Sequence, residues 1–89
     1  MIGDFARSKA GHDKDRIYVI IEETQEFVWL CDGDLRSLEK LKKKNKRHVQ
    51  PIKKISDELR DCCMQNGHFY NEGIKRAIKE YRISIKEEA

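Results

Sequence analysis

No stretch of this 89-residue chain approaches the roughly 20 apolar residues that a membrane-spanning helix requires. The opening residues, Met1-Ile2-Gly3-Asp4-Phe5-Ala6-Arg7, carry no apolar run of signal-peptide length. A cytoplasmic protein with no membrane partner is therefore expected. Three cysteines, Cys31 and the adjacent Cys62 and Cys63, are too few and too oddly spaced for a disulfide framework and suit reduced thiols. Zinc on Cys62, Cys63 and His68 is the sharper alternative, but no paired C-x-x-C spacing supports it. Catalytic signatures are missing as well: there is no glycine-rich phosphate loop ending in Lys-Ser or Lys-Thr, no G-x-S-x-G elbow and no H-E-x-x-H helix. His12-Asp13 offers a nuclease a base and a metal ligand in principle, yet a polar turn explains the pair more simply. Cys31 follows a run of strand residues and reads as buried and inert. The chain is expected to be no enzyme, with no cofactor, metal or small-molecule substrate.

The last absence is of one charge sign. Between Lys40 and Lys54 there is no acid, while Lys40, Lys42, Lys43, Lys44, Lys46, Arg47, Lys53 and Lys54 give that segment +8. The other residues hold 11 cations and all 16 acids, so the whole-chain charge of +3 conceals a mildly acidic body with a basic ridge. Such a ridge is an electrostatic footprint for a polyanion, because neutralising phosphates releases condensed counterions. A solvated lysine loop that aids solubility is the plainer explanation.

One domain with one modest core fits this length, and hydrophobic residues at 38% against charged residues at 39% leave enough apolar material to build it. From Gly3 to about Leu38 the pattern is one of short strands: Asp4 to Ser8, Arg16 to Glu22, Glu26 to Cys31 and Leu35 to Leu38. Ile17, Val19 and Ile21 share one face of the second strand, with Tyr18 and Ile20 on the other. Phe27, Trp29 and Cys31 alternate in the same way against Val28 and Leu30. Strands apolar on both faces are covered on two sides, as in a small barrel with a helical lid. Trp29, Phe27 and Tyr18 are accordingly expected in the core rather than stacking on bases. Asp32-Gly33-Asp34 signals a hairpin between the third and fourth strands. Val49-Gln50-Pro51-Ile52 can supply one more strand, with Pro51 confining it to an edge or an end.

The period then changes to that of helices. Ile55, Leu59, Cys62 and Cys63 form a stripe behind a Ser56 N-cap, with Asn66-Gly67 as the stop. A second helix is expected from about Glu72 to Tyr81 behind an Asn71 cap, presenting Ile74, Ala77, Ile78 and Tyr81. Gly73 weakens its first turn. Both stripes are expected to be core, with Phe69 and Tyr70 packing the helix junction; an external partner groove is the lesser alternative. The tail Arg82-Ile83-Ser84-Ile85-Lys86 alternates like a strand.

Ser8-Lys9-Ala10-Gly11-His12-Asp13-Lys14-Asp15-Arg16, followed by Ile17-Tyr18-Val19-Ile20-Ile21 and preceded by Gly3, resembles the KOW motif of ribosomal and transcription-factor proteins. With the Asp32–Arg36 turn, then Leu38-Glu39-Lys40 running into the lysines and His48, residues 3–52 look like the small bacterial KOW-domain RNA-binding proteins related to the fourteen-e group of large-subunit ribosomal proteins. One departure is that the family usually reads Asp-Lys-Gly where this chain has Asp13-Lys14-Asp15. Glycine permits a left-handed turn there, which Asp adopts at a cost. Another is His12, where a basic residue usually stands.

The resemblance implies a fold that is mainly β with C-terminal helices: a small SH3-like (KOW) barrel of about five short antiparallel strands over residues 1–54, with a basic loop at 40–48. Two short α-helices over 55–89 would pack on it as one structural unit. It also implies a non-catalytic RNA-binding protein of the cytoplasm, ribosome-associated, whose partners are ribosomal RNA and neighbouring ribosomal proteins. The candidate RNA-binding residues are Lys9, His12, Lys14, Arg16, Arg36, Lys40, Lys42, Lys43, Lys44, Lys46, Arg47 and His48, if the barrel brings the first turn beside the lysine run. Lysines act on phosphates as point charges, whereas arginines fork onto phosphate or stack on bases. Shape readout of folded RNA fits this inventory best. A protein-interaction module using the barrel or the second helix is the competing expectation.

Overall fold

Residues 2–53 and 55–88 are described in the computed structural model of the chain; Lys54, the last cation of the basic run, lies outside the described residues. Five strands follow one another, β1 (Phe5–Ser8), β2 (Ile17–Glu23), β3 (Phe27–Cys31), β4 (Lys42–Asn45) and β5 (Val49–Ile52), with a 3-10 turn at Lys46–His48 between the last two. They form one antiparallel sheet in the order β4-β3-β2-β1-β5. This is the small, mainly β, barrel-like architecture expected from the sequence. After it come α1 (Asp57–Cys62), a two-stranded hairpin of β6 (Met64–Gln65) and β7 (His68–Phe69), and α2 (Asn71–Glu88).

The strands are apolar on both faces because the fold holds two hydrophobic clusters. Ala6, Tyr18, Ile20, Val28, Leu30 and Val49 fill the inside of the curved sheet. On its outer face Phe5, Ile17, Val19 and Cys31 meet Cys63 and the α2 stripe Ile74, Ala77 and Ile78. Tyr81 extends this second cluster, its ring edge-on to Phe5 at 5.7 Å between centroids. Burying each such Ile or Phe contributes on the order of 1.5–3 kcal/mol, so α2 stabilises the sheet as well as covering it. The Ile74–Ala77–Ile78 stripe is consumed by the core and is not available to a partner. A bulge between Ile20 and Glu22 breaks the β2–β3 register, adding one residue that bends the strand and helps it curl.

Several local expectations need correction. The segment Leu35–Leu38 is not a strand: Asp32 N–H bonds back to the Arg36 carbonyl at 2.9 Å, so the Asp-Gly signal closes a local turn. The chain pairs with β3 only from Lys42 onward. The basic 40–48 segment is therefore not a loop but β4 plus the 3-10 turn, its lysines held in a ladder against Val28, Trp29 and Leu30. α1 starts at its Ser56 cap, whose hydroxyl accepts from Leu59 N–H at 3.2 Å, but ends at Cys62. Asn66 and Gly67, both at positive φ (55° and 80°), instead turn the β6–β7 hairpin, as Asn-Gly pairs do in two-residue loops.

The second helix is not short. It runs through the tail, where the spacing Ile74, Ile78, Tyr81, Ile85 continues a helical period that the local Ile83-Ser84-Ile85 alternation disguises. Asn71 does not cap it. That side chain turns back to accept from Leu38 N–H at 2.8 Å and donates to Glu39 at 3.2 Å, tying the 32–41 loop to the helix start.

Gly73 sits where the end of α1 meets α2, and a Cβ there would run into the Cys62 carbonyl and the Tyr70 ring. Its helix-weakening is thus the cost of a close approach. Although alanine is the better helix former by about 1 kcal/mol, Gly73→Ala should lower stability by about 2 kcal/mol through overpacking. Urea unfolding of the two proteins checks this, with an unchanged or raised midpoint contradicting it.

Candidate nucleic-acid interface

Side chains directly opposite one another in an antiparallel pair share a face. Lys42 lies across from Leu30 and Lys44 from Val28, so both lysines stand on the inner face of the sheet, with Tyr18 among the same inner-face residues. Their charges are met by Asp13, delivered by the turn between β1 and β2. Asp13 is buried, and its carboxylate lies 2.7 Å from Lys44 Nζ and 3.0 Å from Lys42 Nζ. It also accepts from the Ser8 hydroxyl at 2.9 Å and the Tyr18 hydroxyl at 3.1 Å. Lys44 spends its remaining protons on Ser8 Oγ and the Ala10 carbonyl, each at 2.8 Å.

Burial would raise the Asp13 pKa, but the hydrogen bonds from Lys44, Lys42 and Ser8 outweigh it and hold the carboxyl far below the usual carboxylate range. Burial and then the Asp13 charge push the Tyr18 phenol up to about 12. Burial likewise pushes the Cys31 thiol up to about 11 and that of Cys63 up to about 12, so both are poor nucleophiles. Among the described residues no group of three His, Cys, Asp or Glu side chains stands together to hold a metal ion.

The lysine run is thus not a uniform ridge. Lys42 and Lys44 are internal counter-charges, and Lys46 is paired with Glu23 at 3.0 Å. Lys43 leaves β4 on the opposite face, its ammonium 4.2 Å above the Phe27 ring and 5.7 Å from the Trp29 ring centre. Those two aromatics are half-buried rather than core, unlike Tyr18: they interleave with a cation across the ladder, which linear order along the chain conceals. Lys40 is exposed in the loop before β4, and Arg47 is exposed in the 3-10 turn. Lys9 and His48, both exposed, are brought together by a backbone bond from Lys9 N–H to the His48 carbonyl at 2.8 Å.

The first turn does reach the second one. Because Asp13 alone faces inward, its neighbours His12, Lys14 and Arg16 are exposed. A cleft of about 360 Å³ opens between the first turn and the 32–36 turn, lined by His12, Arg16, Arg36 and Lys42 with Asp13, Tyr18 and Leu35; Lys14 is not part of its lining. Four of the anticipated residues therefore converge from three separate segments, with the Lys42 charge already answered by Asp13. The expectation that the first turn and the whole lysine run form one basic surface fails: the loop that carries Lys14 delivers Asp13 to the Lys42–Lys44 side of β4, whereas Lys43 leaves from the opposite face.

Two residues at positive φ shape the turns beside the cleft. Gly33, at φ 79°, packs so closely on the first turn of α2 that a Cβ would meet the Asn71 carbonyl and the Lys75 backbone, which fixes the 32–36 turn. Asp15 takes the left-handed conformation that glycine adopts most readily, with φ 71° and its N–H on the Ser8 carbonyl at 2.8 Å.

The cations Lys75, Lys79 and Arg82 of α2 carried no weight in the linear reading, yet they line a second groove beside the cleft. Their i, i+4, i+7 spacing alongside Ile78 was the available signal.

No model of a known protein family matches the chain, and no curated protein matches it by sequence. No described helix is long and apolar enough to cross a membrane.

Three outcomes follow from this geometry. Lys42→Gln with Lys44→Gln leaves a buried carboxylate unpaired and should cost about 3 kcal/mol of stability. Arg16→Gln with Arg36→Gln, at exposed positions, should stay within about 0.5 kcal/mol of the parent; denaturant midpoints separate the two. Because the Asp13 pKa is depressed on folding, its contribution is complete above the unfolded value of about 3.9 and is lost as pH falls below it. Asp13→Asn should therefore be less stable at pH 7 and show a shallower loss between about pH 4 and pH 2. At position 15, Gly should exceed Ala in stability by about 1 kcal/mol, with the native Asp between them. Equal midpoints for the two variants would contradict a strained turn.

Proposed function

We propose that this protein is a non-catalytic RNA-binding module of the ribosome, contacting RNA phosphates through the surface around the first turn. The observation that carries the reading is the convergence of His12, Arg16 and Arg36 on one cleft, with Lys42 at its base. Neither arginine has an acid at ion-pair distance among the described residues, so both are free to fork onto phosphate. The one carboxylate in the cleft, Asp13, is already neutralised from within.

The likeness of Ser8–Ile21 to the KOW motif supports the same reading, as does a fold in which that segment forms the first turn of an SH3-like barrel. Lys9, Arg47 and His48 form a flanking patch on which a larger RNA surface would rest. Lys43 over Phe27 and Trp29 offers stacking as well as charge, at the outer edge of the sheet. The cytoplasmic, ribosome-bound setting, with ribosomal RNA and adjacent ribosomal proteins as partners, belongs to this proposal.

Co-sedimentation with ribosomal subunits across a salt series tests it. The protein should bind stoichiometrically, with log K falling by about 0.7–0.9 per phosphate neutralised for each decade of salt. His12→Gln, Arg16→Gln and Arg36→Gln together should reduce that slope by about 2 while leaving the protein folded. Absence from every subunit fraction at low salt would overturn ribosome association. Substituting the run Lys42, Lys43, Lys44 and Lys46 would be uninformative, because three of those lysines support the fold.

A further inference from the structure

Beside the cleft, a groove of about 550 Å³ runs between the 32–36 turn and α2. The two share Arg16 and Leu35 in their linings, so they adjoin. One wall is the flank of α2 that carries Lys75, Lys79 and Arg82, exposed and spaced by about 6 and 4.5 Å along the axis. None of the three has an acid within ion-pair distance among the described residues. The floor is apolar, Ile17 and Ile78 being buried, and it ends in Leu35 and Ile83, which are 66% and 48% exposed.

The opposite wall carries Asp32 and Asp34. Asp32 accepts from the backbone N–H groups of Asp34 and Arg36, both at 2.9 Å, so its carboxylate is engaged in holding the turn. Asp34 is exposed.

We propose that this groove is a second RNA contact, taking the single strand that leaves the first cleft with its phosphates along α2. The inference rests on the RNA reading of that cleft and adds where the strand goes. Charge sets the orientation. Phosphates are attracted to the cationic flank and repelled by Asp34, so the sugar edge faces the turn, where a carboxylate accepts a hydrogen bond from a ribose 2′-hydroxyl. Leu35 and Ile83 supply apolar contact for the riboses and bases between the two walls. An acidic peptide would use the lysines equally but has no use for the apolar floor or for Asp34.

The test uses the full chain and a stem-loop RNA bearing single-stranded tails of about 4 to 16 nucleotides, the span of common single-strand sites. Fluorescence anisotropy across a salt series is measured for the native protein, for a Lys75→Gln, Lys79→Gln, Arg82→Gln variant, and for a cleft variant with His12→Gln and Arg36→Gln. Native affinity should rise with tail length. The helix variant should lose that rise, bind the long-tailed RNA about tenfold or more weakly, and show a salt slope smaller by about 2, one unit of 0.7 per lost phosphate contact. Its affinity for the tailless stem-loop should be unchanged, which excludes misfolding as the cause. A DNA tail on the same stem should bind more weakly than the RNA tail, and Asp34→Ala should narrow that gap.

If the cleft variant loses binding while the helix variant matches the native protein at every tail length, the groove is not an RNA contact and only this inference falls. If the native protein shows no salt-sensitive binding to any of these RNAs, the reading of the cleft falls with it. Displacement of the tail by polyglutamate at equal charge concentration would reassign the groove to an acidic polypeptide.

Discussion

Asp13 is the point on which the molecule turns. A carboxylate placed at the open end of a small barrel is costly unless its charge and all its lone pairs are answered. Here the answers come from four side chains on three strands: Ser8 at the end of β1, Tyr18 in β2, and Lys42 and Lys44 in β4, with the Ala10 carbonyl taking the last Lys44 proton. The interaction is worth less as net stability than as specification. An apolar plug of equal volume could be as stable, but it would not dictate which way the first turn faces. By drawing one residue of that turn inward, Asp13 leaves His12, Lys14 and Arg16 outward and holds them beside the 32–36 turn. The conformation it imposes is tight enough that Asp15 must adopt positive φ.

Burial on both sides of the sheet determines what remains for a surface. The inner cluster closes the barrel and the outer one docks α2, so almost every β-strand side chain with apolar character is used. What escapes is the corner of β3 and β4 beyond the reach of the helix, where Phe27 and Trp29 lie under Lys43, and the seam where the 32–36 turn meets α2. The seam exists because Gly33 allows backbone to touch backbone there, while Asn71 reaches across to Leu38 and Glu39. The side of α2 that turns away from its buried stripe then becomes a wall. One helix thus completes the core and forms one wall of the groove.

Strands and their two-faced burial were legible in the residues because alternation is a local property. Ile17–Ile21 and Phe27–Cys31 advertise period two whatever they pack against, and Ser56 with Asp57 and Glu58 advertises a helix start. The left-handed residue was legible too, since a motif that expects glycine identified the position where Asp15 pays for the turn. Misreadings arose where a short signal had two physical outcomes. Asp32-Gly33-Asp34 can close a hairpin or a local turn, and only the absence of a partner strand before Lys42 decides. Asn66-Gly67 can end a helix or turn a hairpin. Lysines in a row suggested a solvated loop because charge outweighs β-propensity in a linear reading, yet a strand whose alternate residues meet a buried acid accommodates Lys42 and Lys44 without difficulty. The α2 groove escaped notice because its cations are diluted among acids along the chain and are gathered only by helical spacing and by a turn about 40 residues away.

Counting charge along a sequence is therefore a poor guide to which charges a partner can use. The densest run in this chain contains its least available lysines, two answered by Asp13 and one by Glu23, whereas the cations of the cleft and groove that have no acid partner among the described residues, Arg16, Arg36, Lys75, Lys79 and Arg82, come from three other segments. The division follows from electrostatics. A lysine whose ammonium is satisfied by three hydrogen bonds, as Lys44 is, would have to leave a buried carboxylate unpaired in order to meet a phosphate, and no surface contact in water repays that loss. An exposed arginine gives up only water and counterions. Structural and exposed charges are in this way separated onto different residues, so the exposed ones can vary without loosening the barrel that presents them.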